Sequence, residues 1–322
     1  MTADASTPAA TATVTTASPA DDASSAPARA AGLRDPRTFA AVCVTVLLWA
    51  SAFVVIRSAA PQFSPGALAL GRLLAGSVVL TGIWLARGEG LPARAAWPGI
   101  ALSGLLWFGA YMIALNWGER KVDAGTASML VNIGPILIAI LSGWLLKEGF
   151  PPRLLAGMLV SFAGAVVVGT AGSGGAKVSV LGVALCLFAA VTYAAGVVSQ
   201  KVALRSGSAL QVTTFGCLIG TVACLPFSGQ LVSEVSHQPW TASAKIVYLG
   251  VFPTALAFTA WAYALARTSA GKMGSTTYVV PALVIVMSWI SLDQVPGWLA
   301  FIGGLLCLVG VGVARSRPAS VR

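Results

Sequence analysis

Few side chains in this sequence are equipped for chemistry, and the ones that are sit in apolar surroundings. Arg72 is the only basic residue well inside an apolar run, LALGRLLAGSVVL. A charge there is costly, so Arg72 either faces a cavity and holds an anionic or zwitterionic group, or snorkels to an interface about 9 Å away at helical rise. Asn132 lies mid-way along another apolar run, where an amide binds a ligand or bridges two helices. Trp107 and Tyr111 share a helix face one turn apart, and Trp261 joins them as a candidate cavity wall; packing is the plainer use of each. Catalytic and metal-binding sets do not assemble. His237 is the single histidine, the five cysteines (Cys43, Cys186, Cys217, Cys224, Cys307) show no C-x-x-C spacing, and no Asp or Glu lies inside an apolar run. No cofactor or metal is expected. Transport driven by a proton-carrying carboxylate is not expected either. Glu148 is expected to pair with Lys147, with Arg153 or with the helix that follows it.

These residues need elements to hold them, and composition says which. Hydrophobic residues make up 57% of the 322 and charged residues 9%, with a mean hydropathy of +0.85. That is the balance of an all-α integral membrane protein. The net charge of +10 is spread in ones and twos, without the basic stripe that nucleic acid needs. Residues 1–37 read as a disordered tail of Ala, Thr, Ser, Pro and Asp, and 316–322 as a second short tail. Between them, ten apolar spans are predicted: about 38–58, 66–86, 96–117, 124–146, 153–171, 179–201, 209–228, 245–266, 271–291 and 297–314. Lys and Arg divide fourteen to five between alternate loops, leaving out Arg72. That bias places both termini in the cytoplasm and the chain in the plasma (inner) membrane as a multi-pass protein.

Span four carries a pattern. Gly125, Ser128, Asn132, Pro135, Ala139 and Ser142 follow at steps of three or four, one stripe of small and polar residues on an otherwise aliphatic helix. In lipid such a stripe faces a neighbouring helix or a water-filled cavity. The stripe returns in span nine as Gly274, Thr277, Pro281 and Ser288. A shift of 146 residues brings Pro135 onto Pro281, Gly157 onto Gly303 and Gly164 onto Gly310; a shift of 144 brings Trp49–Arg57 onto Tyr193–Lys201. Spans one to five (38–171) and six to ten (178–315) therefore read as two copies of one unit. Five is odd, so the copies are inverted, as in many secondary transporters with a site at the repeat interface. Each proline frees a carbonyl one turn earlier, near Val131 and Thr277.

These features together resemble the EamA family of the drug/metabolite transporter superfamily over residues 38–315. The resemblance rests on LLWASAFVVIR (47–57), GRLLAG (71–76), the Ala-to-Pro spacing of both copies, and LLKEGFPPRLLAGMLVSFAGAVVV (145–168). It implies ten helices, a central cavity lined mainly by helices three, four, eight and nine, and export of amino acids or related metabolites. The first copy is read as carrying about four extra residues, Gly118–Lys121, and Arg72 has only Gly216 as its counterpart.

The expected partners are a small-molecule substrate and the bilayer, with no nucleic acid, in a monomer or homodimer. The substrate path is expected at Arg72, Trp107, Tyr111, Asn132, Pro135, Trp261, Thr277 and Pro281. A channel or a drug-efflux protein is the alternative, and a membrane enzyme lacks the residues it would need.

Overall fold

Serine or aspartate before proline or a hydrophobic run starts five of the helices, at Asp35, Ser64, Ser179, Ser208 and Ser269. In the computed structural model, which describes residues 33, 35–121, 127, 130–172, 179–292 and 298–315, every regular element among the described residues is helical. Both predicted tails, the Ala124–Ser128 start of the polar stripe (Ala127 apart) and residues 293–297 fall outside the described residues. Helix α1 (Pro36–Ala59) begins at Asp35, whose carboxylate accepts from Thr38 N–H and Oγ1–H and is held below its ordinary pKa by them. Helix α2 (Pro65–Arg87) ends at Gly88, a left-handed C-cap that a side chain would strain. Then come α3 (Arg94–Gly118), α4 (Gly134–Leu145), α5 (Pro152–Gly172), α6 (Val180–Ala203), α7 (Ala209–His237) and α8 (Trp240–Arg267). Helix α9 is Ala270–Ser275 continued by Val279–Leu292, and α10 is Trp298–Arg315. Ser208 and Gln211 form a reciprocal capping box at the start of α7.

Six of these, α1, α2, α3, α6, α7 and α8, are long and apolar enough to cross a membrane by length and composition. Gly134–Leu145, Pro152–Val167 and Phe301–Ala314 are shorter apolar helices.

The internal repeat is visible as contacts. Residues that sequence makes equivalent touch each other: Ser77 Oγ and Thr221 Oγ1 at 2.9 Å, the Tyr278 hydroxyl on the Asn132 carbonyl at 2.9 Å, and Ser161 Oγ on the Cys307 carbonyl at 3.0 Å. The first pair is 144 residues apart, the other two 146. Equivalent positions meet only where a two-fold relation passes between them. At the Ser161–Cys307 seam, α5 and α10 cross with backbones in contact. A Cβ on Gly157 would lie 2.3 Å from the Ala314 nitrogen, and one on Gly164 2.6 Å from the Gly303 oxygen.

The repeat extends to irregularities. Both α3 and α8 contain a π-helical stretch, Gly104–Tyr111 and Gly250–Leu256, whose starts are 146 residues apart. Gly104 sits on the Gly216 carbonyl and Gly250 on that of Arg72, again equivalent pairs. This register corrects the expected insertion at Gly118–Lys121. Nothing is inserted; the helical piece after the π stretch ends at Gly118 in α3 and runs on to Arg267 in α8, 7 residues against 11. The two prolines also act alike. A turn at Asn132–Ile133 precedes Gly134–Pro135, and a 3-10 turn at Thr276–Tyr278 precedes Pro281. The carbonyl that gains a side-chain partner is that of Asn132, one residue beyond the expected Val131.

Helix α7 departs from the predicted end near residue 228. It continues through Leu225–Phe227 as Ser228–His237 and covers the start of α2. Glu234 accepts the Ser64 N–H at 2.8 Å and Gln230 accepts the Ser64 hydroxyl at 2.9 Å, while the Phe227 ring closes on Gly66. A carboxylate at that helix N-terminus is favourably placed.

Candidate functional site

The π stretch of α3 and the two proline turns border a cavity with about 800 Å3 of space between its walls including the part open to solvent, and the π stretch of α8 holds two of its lining side chains from behind. Wide turns of this kind displace side chains from regular helical register and are common at functional positions. Pro253, inside the second π stretch, leaves its carbonyl to accept the Trp49 indole N–H at 3.3 Å. Trp49 is thereby fixed against Phe258 (centroids 5.3 Å apart), and Trp107 packs on Phe258 at 4.7 Å and on Tyr193 at 5.4 Å. Edge-on and tilted aromatic pairs of this geometry make a stiff wall.

Arg72 enters the cavity from α2 and is only 6% exposed. Its Nε and Nη2 donate to Thr254 Oγ1 at 3.2 and 3.1 Å, and Thr254 passes its own proton to the Leu249 carbonyl, five residues back, at 2.8 Å. The guanidinium is thus held in place by a neutral hydroxyl and makes no ion pair among the described residues; the Glu119 carboxyl acts on it only across a gap. A fixed guanidinium without an ion-pair partner in an aromatic cavity suits a carboxylate.

Of the predicted path residues, Arg72, Trp107, Tyr111, Asn132, Pro135 and Thr277 line this cavity. Trp261 and Pro281 do not. Trp261 is fully buried against Trp49 (4.9 Å) and Trp107 (5.7 Å), so Trp49 forms the wall in its place. Pro281 is buried one turn beyond Thr277, the residue that its 3-10 turn presents to the cavity. Helices α3, α8 and α9 and the turn that opens α4 all reach the lining, and further helices join that set. Helix α1 contributes Trp49, Ala52, Phe53 and Ile56, and α6 contributes Tyr193. Phe53, Ile56, Asn116 and Phe258 were not anticipated. A signal was there for two of them, since Phe53 lies one turn from Trp49 and Phe258 one turn from Trp261.

The two ends of the bundle differ. At one end Lys201 Nζ donates to the Leu265 and Thr268 carbonyls, each at 2.5 Å, and Glu148 accepts the Ala270 N–H at 2.8 and 3.0 Å and the Gly271 N–H at 3.4 Å. Glu148 therefore caps α9, which corrects its expected pairing next to its own helix. At the other end the cavity reaches Ile56, Leu115 and Asn116, in the last turns of α1 and α3. Just beyond α3, Glu119 shelters its Oε1 from solvent without a hydrogen bond. Burial pushes this carboxyl up to about 7 against the pull of Arg57 and Arg72. Sequence reading took Glu119 for part of an inserted loop, and only its burial makes it notable.

This cavity belongs to a known kind of chain. The sequence profile of the EamA-like transporter family matches residues 37–170 and again 180–315. The chain belongs to the EamA-like transporter family. Among the relatives of this EamA-like protein is a probable terminal-alkyne amino-acid exporter of Streptantibioticus cattleyicolor. It is 35% identical over 282 residues, spanning 88% of this chain and 94% of that one. The uncharacterized transporter YdfC of Bacillus subtilis is 35% identical over 264 residues, 82% of this chain and 86% of its own. A solved crystal structure superposes with a TM-score of 0.71 at 21% identity, covering 86% of this chain and 96% of its own, and so shares the fold. The EamA-like chain is a membrane protein whose relatives are named transporters and exporters.

Proposed function

We propose that this protein is a secondary transporter that moves an amino acid or related small metabolite out across the plasma membrane by alternating access. Ten spans in two inverted five-helix copies carry it, with both termini cytoplasmic. The observation that supports the reading best is the guanidinium of Arg72, fixed by Thr254 and without an ion pair among the described residues, inside an aromatic cavity between the two copies. Arg72 takes the carboxylate of the substrate, and the wall of Trp49, Trp107, Tyr193 and Phe258 takes its side chain. The exporter relative from Streptantibioticus cattleyicolor, named for terminal-alkyne amino acids, agrees with a compact substrate of mixed polarity.

Purified protein in proteoliposomes tests this. Labelled propargylglycine, a terminal-alkyne amino acid, should enter by a saturable route and exchange in counterflow; a linear, non-exchanging flux identifies a channel instead. Arg72→Ala should lower the flux at least ~10-fold, the equivalent of a lost charged hydrogen bond, and Arg72→Lys should retain part of it. Undiminished flux in both variants sinks the role of Arg72. A pH gradient is expected to have little effect on the rate, and strong acceleration would instead mark proton coupling.

A further inference from the structure

The cavity has a counterpart at the end of the bundle that is tied shut. The register that places Trp49–Arg57 on Tyr193–Lys201 makes Gln200 the equivalent of Ile56, and the register of α3 and α8 makes Trp261 the equivalent of Leu115. Ile56 and Leu115 line the cavity where it reaches one end of the bundle. Their equivalents are both fully buried, and both hold polar atoms with no partner: Oε1 and Nε2 of Gln200 and Nε1 of Trp261. Two other buried hydroxyls, Ser103 Oγ on α3 and Thr214 Oγ1 on α7, are also without a partner. Gly99 of α3 packs on the Ser199 carbonyl and Ala203, on either side of Gln200 in α6, and Ser103 Oγ lies near Gly216 where α3 meets α7.

A buried primary amide with neither atom satisfied is expensive, and folded chains rarely keep one without a use. A position needed only for packing would hold an aliphatic side chain, as its equivalent Ile56 does. We infer that Gln200 is a substrate-path group of a second conformation, in which the Lys201 end opens and the other end closes. This inference rests on the alternating-access reading above. Exchanging the conformations of the two copies gives Gln200 the cavity position that Ile56 holds now, where its amide meets a polar substrate or water. Ile56 then takes the packed position, which costs an aliphatic side chain nothing in unmet hydrogen bonds. The ties at Lys201 and Glu148 oppose this exchange, and solvation of Gln200 favours it.

The test compares maleimide labelling of Gln200→Cys with that of Ala203→Cys, an equally buried position one turn later on the same helix whose equivalent, Ala59, is buried and outside the cavity lining, in nanodiscs, with wild type as background. Gln200→Cys should react at least ~10-fold faster than Ala203→Cys, and adding Glu148→Gln should speed the first and not the second. Gln200→Ile, which copies the equivalent position, should lower propargylglycine counterflow ~10-fold while binding read from tryptophan fluorescence stays within ~2-fold. Equal labelling rates at the two cysteines overturn the inference, as does full flux through Gln200→Ile if the cysteine variant does not fold. Wild-type protein that moves no amino acid sinks the transport reading alone, because the labelling contrast does not depend on flux.

Discussion

Lys201 closes one end of the bundle with its ammonium on two carbonyls at the end of α8, both at 2.5 Å. Arg57, its equivalent 144 residues earlier, has no hydrogen bond of its own among the described residues, and its charge acts on Glu119 across a gap. The pattern repeats with the acids. Glu148 is spent on the N-terminus of α9, whereas Glu119 keeps one oxygen buried and unpartnered. Two copies of one unit have therefore reached different states at their equivalent corners, one knitted by charged hydrogen bonds and one left beside a cavity. The helix ends differ with them, Gly118 against Arg267.

That contrast can be broken or sharpened by substitution, beginning with the seam both ends share. Gly157→Leu drives a side chain into the Ala314 backbone and should destabilise the whole protein by about 3 kcal/mol, seen as lost expression or a collapsed thermal transition. Lys201→Met should cost roughly 2 kcal/mol, the loss of charged bonds to carbonyls at a helix end, and a Tm equal to wild type would show that corner is not tied. Glu148→Gln should cost about 1 kcal/mol through a weakened cap on α9, with increased proteolysis confined to that end.

The fourth effect is graded with pH. Glu119 titrates near 7 in the folded protein, above the 4.5 of a free carboxyl, so the native state holds its proton more tightly than the unfolded chain. Its burial costs nothing below pH about 4.5, and stability falls as pH rises from there toward 7. Glu119→Gln should flatten that slope in a series of melts between about pH 5 and 8, and an unchanged slope would place the titration elsewhere. The smallest effect is that of Arg57→Met, within about 0.5 kcal/mol at neutral pH. Because Arg57 pulls the Glu119 carboxyl down, its loss should move the slope to higher pH. A cost equal to that of Lys201→Met would erase the contrast between the corners.

Much of the fold was legible because lipid imposes simple rules. The apolar run length, the Gly and Pro punctuation and the shifts of 144 and 146 residues located the helices and the repeat, since each follows from local composition. Arg72 was legible for the same reason, as a charge where charges are rare. The cavity wall was harder to read. Trp49 and Trp261 look alike in sequence, and which one faces the cavity depends on the Pro253 carbonyl, which accepts the Trp49 indole N–H from within a π stretch. Gln200 was passed over as a helix-end polar residue and Glu119 as part of an inserted stretch, because sequence places an end but not what covers it.

Sequence by itself determined that this chain is a duplicated bundle of apolar helices with one embedded arginine and paired prolines, because hydropathy and spacing are local properties. Tertiary structure alone decided that Arg72 rests on Thr254, that Glu148 caps α9 instead of serving its own neighbourhood, and that one end of the bundle is tied while the other meets a cavity. Those outcomes depend on which groups come within hydrogen-bond reach across 64 to 182 residues of chain, and no window of sequence holds that information.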